Sequence, residues 1–71
     1  MKASKYVQRI VAVARSYDKK LNDKRSALGV MEAAIERLKA DREQASPMRL
    51  VWIKSDISHL VREINALVVQ S

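Results

Sequence analysis

The chain has 71 residues, contains no cysteine or phenylalanine and only one glycine and one proline, and carries a net charge of +6. A chain of this length buries only a thin hydrophobic core, so oligomerisation is expected, and without cysteine it has neither disulfides nor thiolate ligands. Its longest apolar run is five residues, which predicts neither a transmembrane segment nor a secretory signal peptide. We therefore expect a cytoplasmic protein, and its residue usage is typical of helical bundles.

The excess positive charge lies entirely in the first third of the chain. Residues 1–25 hold eight bases and two acids, whereas residues 26–71 hold six of each. Within a single domain, 1–71, residues 1–25 therefore form a basic amphipathic N-terminal arm. A one-sided excess of bases predicts an acidic partner, a nucleic acid or an anionic surface, or else a solvated helix face that keeps a small protein soluble.

A seam of apolar residues recurs at alternating steps of three and four from residue 7 to residue 45. It keeps one phase for more than five heptads, and only two bases interrupt it. A period of 3.5 residues is typical of helices that pack as in coiled coils. The members of this first seam are Val7, Ile10, Ala14, Tyr17, Leu21, Lys24, Leu28, Met31, Ile35, Leu38, Arg42 and Ala45.

The first seam predicts one long helix over about 4–44. Ser4 is a suitable N-cap for it. Asn22–Asp23 is the one plausible earlier break, because Asp23 could cap a new helix there. The continuous phase of the seam favours an unbroken helix instead.

A turn at 45–47 separates this helix from a second one over about 47–69. Ser46 is a good N-cap, and Pro47 suits the first position of a helix, where its missing N–H costs nothing. A short connection favours antiparallel neighbours, so the predicted fold is an all-α antiparallel helical hairpin. The second seam consists of Leu50, Ile53, Ile57, Leu60, Ile64 and Leu67.

The two predicted helices differ greatly in length, so the second covers only the C-terminal half of the first. Residues 4–20 would then project with an uncovered apolar stripe, and a lone amphipathic helix of that length is marginal in water. Three arrangements would cover it. A second copy of the chain, giving a dimeric bundle, is favoured. The others are a heterologous partner on the arm, or a break near Asn22 that folds residues 4–20 back as the third helix of a monomeric bundle.

No catalytic, cofactor-binding or metal-binding constellation is present in the sequence. His59 is the only histidine, no cysteine could join it, and no glycine-rich phosphate loop occurs. We therefore expect no enzyme and no cofactor. In shape alone, the predicted hairpin is similar to the hairpin dimers of plasmid RNA-binding regulators and to small helical-hairpin secretion chaperones.

These features predict a protein–protein interaction module, such as a small adaptor, inhibitor or chaperone. The apolar partner contacts would be Val7, Ile10, Val11, Ala14 and Tyr17, together with Met48 and Trp52 from the second helix. The basic contacts would be Lys5, Arg9, Arg15, Lys19 and Lys20. The alternatives are a dimeric hairpin that binds RNA or DNA through the same bases and a purely structural, self-assembling subunit. Binding to a membrane surface is disfavoured, because the apolar stripe is small and Asp18 interrupts the basic arm.

Overall fold

The computed structural model describes residues 3–69 and places them in three α-helices. Helix α1 is Lys5–Leu21, α2 is Lys24–Arg42 and α3 is Pro47–Val69. The all-helical class is confirmed, and residues 3–69 contain no strand. The first two residues of the predicted basic arm and the last two of the chain lie outside the described residues. No helix within the described range combines the length and apolarity needed to cross a membrane.

The predicted single helix over 4–44 is wrong, because the chain reverses at Asn22–Asp23. Asn22 ends α1 with φ 50° and ψ 40°, a left-handed conformation that asparagine tolerates better than most residues. The N–H of Asp23 donates to the carbonyl of Tyr17 at 3.0 Å, closing the end of α1. Asp23 then caps α2, since its carboxylate accepts the N–H of Ser26 at 3.0 Å and the hydroxyl of Ser26 at 2.7 Å.

The continuous phase of the first seam does not distinguish one long helix from two helices that face each other. A two-residue turn lets both helices direct their stripes into the same core. The seam members at the turn are not core residues, because Leu21 is 67% exposed and Lys24 is only half-buried. Because these two residues do not pack in the core, their place in the seam carries no information about helix packing. The predicted hairpin is therefore wrong, because the described chain forms three helices. The similarity in shape to hairpin regulators and chaperones depended on the hairpin and does not apply.

The second turn and both predicted N-caps are confirmed. The N–H of Arg49 donates to Ser46 Oγ at 3.3 Å, and Pro47 is the first residue of α3. At the start of α1, Ser4 Oγ accepts the N–H of Val7 at 3.2 Å, and the helix begins directly after Ser4. Each serine satisfies an N–H that the first turn of a helix leaves without a partner.

One apolar core is shared by all three helices. Most of its residues belong to the two predicted seams, and the remaining three (Val11, Ala27 and Ala34) lie beside them. These three are small, which lets neighbouring helices approach closely. The buried apolar residues are Val7, Val11, Ala14, Ala27, Met31, Ala34, Ile35, Leu38, Ile53 and Leu60.

The stripe on residues 7–17 is covered by the chain itself, which corrects the expectation that it is exposed. Val7, Val11 and Ala14 are buried in the shared core, and Ile10 and Tyr17 are half-buried against it. Helix α1 folds back along α2 because of the reversal at residues 22 and 23. With the stripe covered, it gives no reason to favour a dimeric bundle.

Helices α1 and α3 run in the same direction and are joined by polar contacts at two levels. Ser4 Oγ donates to Asp56 Oδ2 at 2.9 Å, and further along the Arg15 guanidinium donates to the Glu63 carboxylate at 3.3 Å. The Arg15 side chain is 62% exposed and that of Glu63 25%, so water screens this ion pair. A screened pair contributes about 0–1 kcal/mol, and we assign the larger share of the α1–α3 link to Ser4 and Asp56.

Candidate interaction surfaces

The solvent-facing side of α1 is basic. All five predicted basic contacts are exposed. Within residues 3–69, Arg15 alone among them has a side-chain partner, the Glu63 carboxylate. The side chains of the other four make no ion pair or hydrogen bond with any described residue. We call these four the basic face: Lys5, Arg9, Lys19 and Lys20.

The helix dipole accounts for only part of the basic face. Lys19 and Lys20 lie in the last turn of α1, where positive charge is stabilising. Lys5 is the first residue of α1, at the positive end of the dipole, where a cation is disfavoured. No acid in the first turn of α1 compensates for it. Helix stability therefore does not explain the lysine at position 5.

The predicted apolar contacts on α1 lie against the chain's own helices. Three of them are core residues and two are half-buried, as described above. A partner that approaches α1 from solvent therefore meets the basic face first. Of the two predicted contacts on α3, Met48 is 79% exposed and Trp52 is 44% exposed.

A groove of about 620 Å³ lies where the start of α1, the end of α2 and the start of α3 meet. It brings Trp52 next to the N-terminal end of α1, which the hairpin prediction does not do. Asp56 is only 6% exposed there, and its Oδ1 is buried and has no hydrogen-bond partner. The residues that line the groove are Ser4, Tyr6, Arg37, Leu38, Asp41, Arg49, Trp52 and Asp56.

The groove and its buried acid are the features that sequence reasoning missed. A signal for Asp56 was available, because it lies three residues after Ile53 and four before Leu60, both of which are buried. Helical spacing puts all three on one stripe of α3. The sequence gives no signal that Asp56 lies in one groove with Tyr6, Arg37 and the other lining residues, because that proximity depends on how the three helices pack.

The lone histidine, His59, is partly exposed on α3. His59 Nε2 is 3.8 Å from Glu63 Oε1, one helical turn away. In the part of the chain that the structure describes, no three histidine or acidic side chains are grouped so that they could hold a metal ion.

By fold, the chain is a small all-α protein, a three-helix bundle in residues 3–69. Comparisons with protein families, with curated proteins and with solved structures give no match to this chain.

Proposed function

We propose that this chain is a non-enzymatic interaction protein that binds an acidic region of a protein partner through the basic face of α1. The observation that carries the proposal is that four exposed bases on one side of one helix have no ion-pair partner in residues 3–69. Because no internal ion pair has to be broken, all four charges are available to the carboxylates of a partner.

The spacing of the basic face defines what that partner must offer. Arg9 and Lys19 are ten residues apart, which is about 15 Å along a helix. This exceeds the Debye length of about 8 Å at physiological ionic strength, so the two ends of the face act as separate contact points. Ala12 and Ser16 lie between them and are exposed. Their small side chains leave room for a partner helix or strand to lie close to α1.

Met48 and Trp52 supply the apolar contacts in this proposal, in place of the buried residues of α1. Both are exposed, and Trp52 shares the groove with Tyr6, which follows Lys5 in the chain. Tryptophan and methionine are enriched at the centres of protein interfaces, where burial of apolar area adds to electrostatic attraction. An acidic partner that contacts Lys5 and Arg9 therefore has an apolar anchor nearby.

Two variants with the same net charge test the proposal. The first replaces the basic face: Lys5→Gln, Arg9→Gln, Lys19→Gln and Lys20→Gln. The matched control removes four exposed bases elsewhere: Lys39→Gln, Arg42→Gln, Lys54→Gln and Arg62→Gln. Affinity for poly-L-glutamate, used as an acidic polypeptide probe, is measured by calorimetry at moderate salt.

We expect the basic-face variant to lose at least about tenfold in affinity, the equivalent of about 1.4 kcal/mol, while the control stays within about threefold of the native chain. Equal losses in both variants would mean that net charge alone drives binding, and the basic face would then have no specific role. Circular dichroism of both variants establishes that they are folded.

Nucleic acid is the second candidate partner, favoured by the burial of the apolar stripe of α1. A helix face that offers bases without large apolar groups suits a phosphate backbone as well as carboxylates. The same two variants are tested against a short RNA and a short DNA duplex. Three results together would establish this candidate. The nucleic acid would bind more tightly than poly-L-glutamate, its binding would fall steeply with salt, and it would disappear only in the basic-face variant.

Self-association is the third candidate. Helix α3 carries four exposed valines, Val51, Val61, Val68 and Val69. Scattered exposed apolar residues are common on monomers, so sedimentation analysis is needed to decide. A dimer at micromolar concentration that dissociates on Val61→Ser would support the structural subunit. The absence of catalysis and the cytoplasmic location remain predictions from the lone histidine and the missing cysteines.

A further inference from the structure

We propose that the groove between α1, α2 and α3 binds a small zwitterion of the amino-acid class, with an ammonium group, a carboxylate and an apolar side chain. None of the four bases of the basic face lines this groove. The charged residues of this site are therefore distinct from the basic face, and Trp52 is the one residue that both proposals use.

The groove is lined by two acids and two bases that do not neutralise one another. Asp41 and Asp56 face the same space as Arg37 and Arg49. Within residues 3–69 none of these four side chains makes an ion pair. A ligand with a single charge would be attracted by one pair and repelled by the other. A zwitterion satisfies both pairs at once, with its ammonium on the carboxylates and its carboxylate on the guanidiniums.

Asp56 provides the strongest reason to place a donor in this groove. The residue is 6% exposed, its Oδ2 is taken by the Ser4 hydroxyl, and its Oδ1 is buried with no partner. A buried acceptor without a hydrogen bond is unfavourable, and an ionised one more so. Asp56 lines the groove, and because the terminal torsion of an aspartate is broad, a partial rotation of its carboxylate turns Oδ1 towards the groove. An ammonium group supplies the missing donor and the compensating charge.

The walls of the groove select the rest of the ligand. Tyr6 and Trp52 offer aromatic surface and Leu38 offers an aliphatic one. The volume of about 620 Å³ lies in the range of small-molecule sites. The faces of Trp52 and Tyr6 also attract an ammonium group near the carboxylates. An amino acid with an apolar or aromatic side chain fits these walls better than a polar one.

Trp52 is the only tryptophan of the chain, so its fluorescence reports directly on the groove. The probes are L-phenylalanine, phenethylamine, which lacks the carboxylate, and 3-phenylpropanoate, which lacks the ammonium. Excitation at the red edge of the indole band avoids absorption by all three. We expect a saturable change with L-phenylalanine, and binding at least tenfold weaker for each of the other two.

Two variants assign the charged ends of the ligand. Asp56→Asn keeps an oxygen for the Ser4 hydroxyl and should weaken L-phenylalanine at least tenfold. Arg49→Gln, at an exposed position, should lower the affinity for L-phenylalanine towards that for phenethylamine. Glu63→Gln is the matched control, because Glu63 is an acid of α3 that does not line the groove, and it should bind L-phenylalanine like the native chain. The basic-face variant should do the same.

Three results would overturn the proposal: no saturable change with L-phenylalanine, phenethylamine binding as tightly as L-phenylalanine, or unchanged affinity in both Asp56→Asn and Arg49→Gln. Circular dichroism shows whether each variant is folded. If Asp56→Asn does not fold, the comparison of L-phenylalanine with phenethylamine on the native chain and on Arg49→Gln decides.

Discussion

The hydroxyl of Ser4 joins the start of α1 to the middle of α3 by donating to Asp56 Oδ2 at 2.9 Å. The same hydroxyl oxygen accepts the N–H of Val7 at 3.2 Å, so one side chain both caps a helix and links two helices. The Asp56 carboxylate thereby lies close to the N-terminal end of α1, where the helix dipole favours negative charge. This link fixes how far α3 is displaced along α1, and both of its residues line the groove.

Ser4→Ala should lower the free energy of unfolding by about 1–3 kcal/mol. The substitution removes the cap of α1, which contributes about 1 kcal/mol, and leaves a buried carboxylate with no hydrogen bond at all. Urea unfolding followed by circular dichroism measures the loss. Ser16→Ala is the control, since Ser16 is exposed in the middle of α1 and its hydroxyl has no partner among the described residues. Equal stability of the two variants would mean that the Ser4–Asp56 link contributes nothing.

Substitutions at Asn22 distinguish a reversal from a continuous helix. Alanine pays about 1–2 kcal/mol in the left-handed conformation seen at Asn22, asparagine pays less than alanine, and glycine has no such cost. Asn22→Ala should therefore destabilise the fold and Asn22→Gly should be neutral or stabilising, as urea unfolding will show. A continuous helix requires the opposite order, because alanine is the better helix former by about 1 kcal/mol. The order of the two variants is the decisive observation.

Much of the fold follows from local chemistry that the sequence displays. The caps at Ser4 and Ser46, the proline at the start of α3 and the buried stripe on each helix are all set by residues within one or two turns of each other. The reversal at Asn22 is different, because asparagine adopts the left-handed conformation only as one option among several. Packing of α1 against α2 selects that option, and periodicity does not report it.

The two candidate sites differ in the same way: the basic face follows from local chemistry, and the groove does not. Exposure of Lys5 and its neighbours on the basic face follows from the helical period, since the buried stripe of α1 leaves only the opposite side for them. The groove does not follow from any single helix, because Tyr6, Asp41 and Trp52 come from three different elements. Prediction of the groove requires the tertiary arrangement of the helices. That arrangement depends on the turn at Asn22–Asp23, which the apolar periodicity does not indicate.

Acidification should weaken the turn between α1 and α2. The hydroxyl and the N–H of Ser26, with help from the charge of Arg25, lower the pKa of Asp23 below its ordinary value of 3.8. The stabilisation from ionised Asp23 is therefore complete above pH 3.8 and is lost as the pH falls through the lower folded-state value. Asp23→Asn keeps a good N-cap but cannot titrate, so its stability should fall less on acidification.

Urea unfolding of the native chain and of Asp23→Asn at a series of pH values measures this difference. Ser26→Ala should give an intermediate acid dependence, because it removes the hydroxyl donor and keeps the backbone one. Parallel pH profiles for the native chain and Asp23→Asn would show that ionisation of Asp23 does not stabilise the turn.

Gly29→Ala should raise the free energy of unfolding by about 0.5–1 kcal/mol. Gly29 lies inside α2, is exposed, and a Cβ added there meets nothing within 4 Å. Alanine would therefore gain helix propensity and reduce the freedom of the unfolded chain without a steric cost. Ala33→Gly, one turn further along the same helix and also exposed, is the mirror control and should lose about 1 kcal/mol. If Gly29→Ala is stabilising yet weakens binding of poly-L-glutamate or of L-phenylalanine, the space beside Gly29 is needed for a close approach by that ligand. If it is stabilising with both affinities unchanged, position 29 has no part in either proposed site.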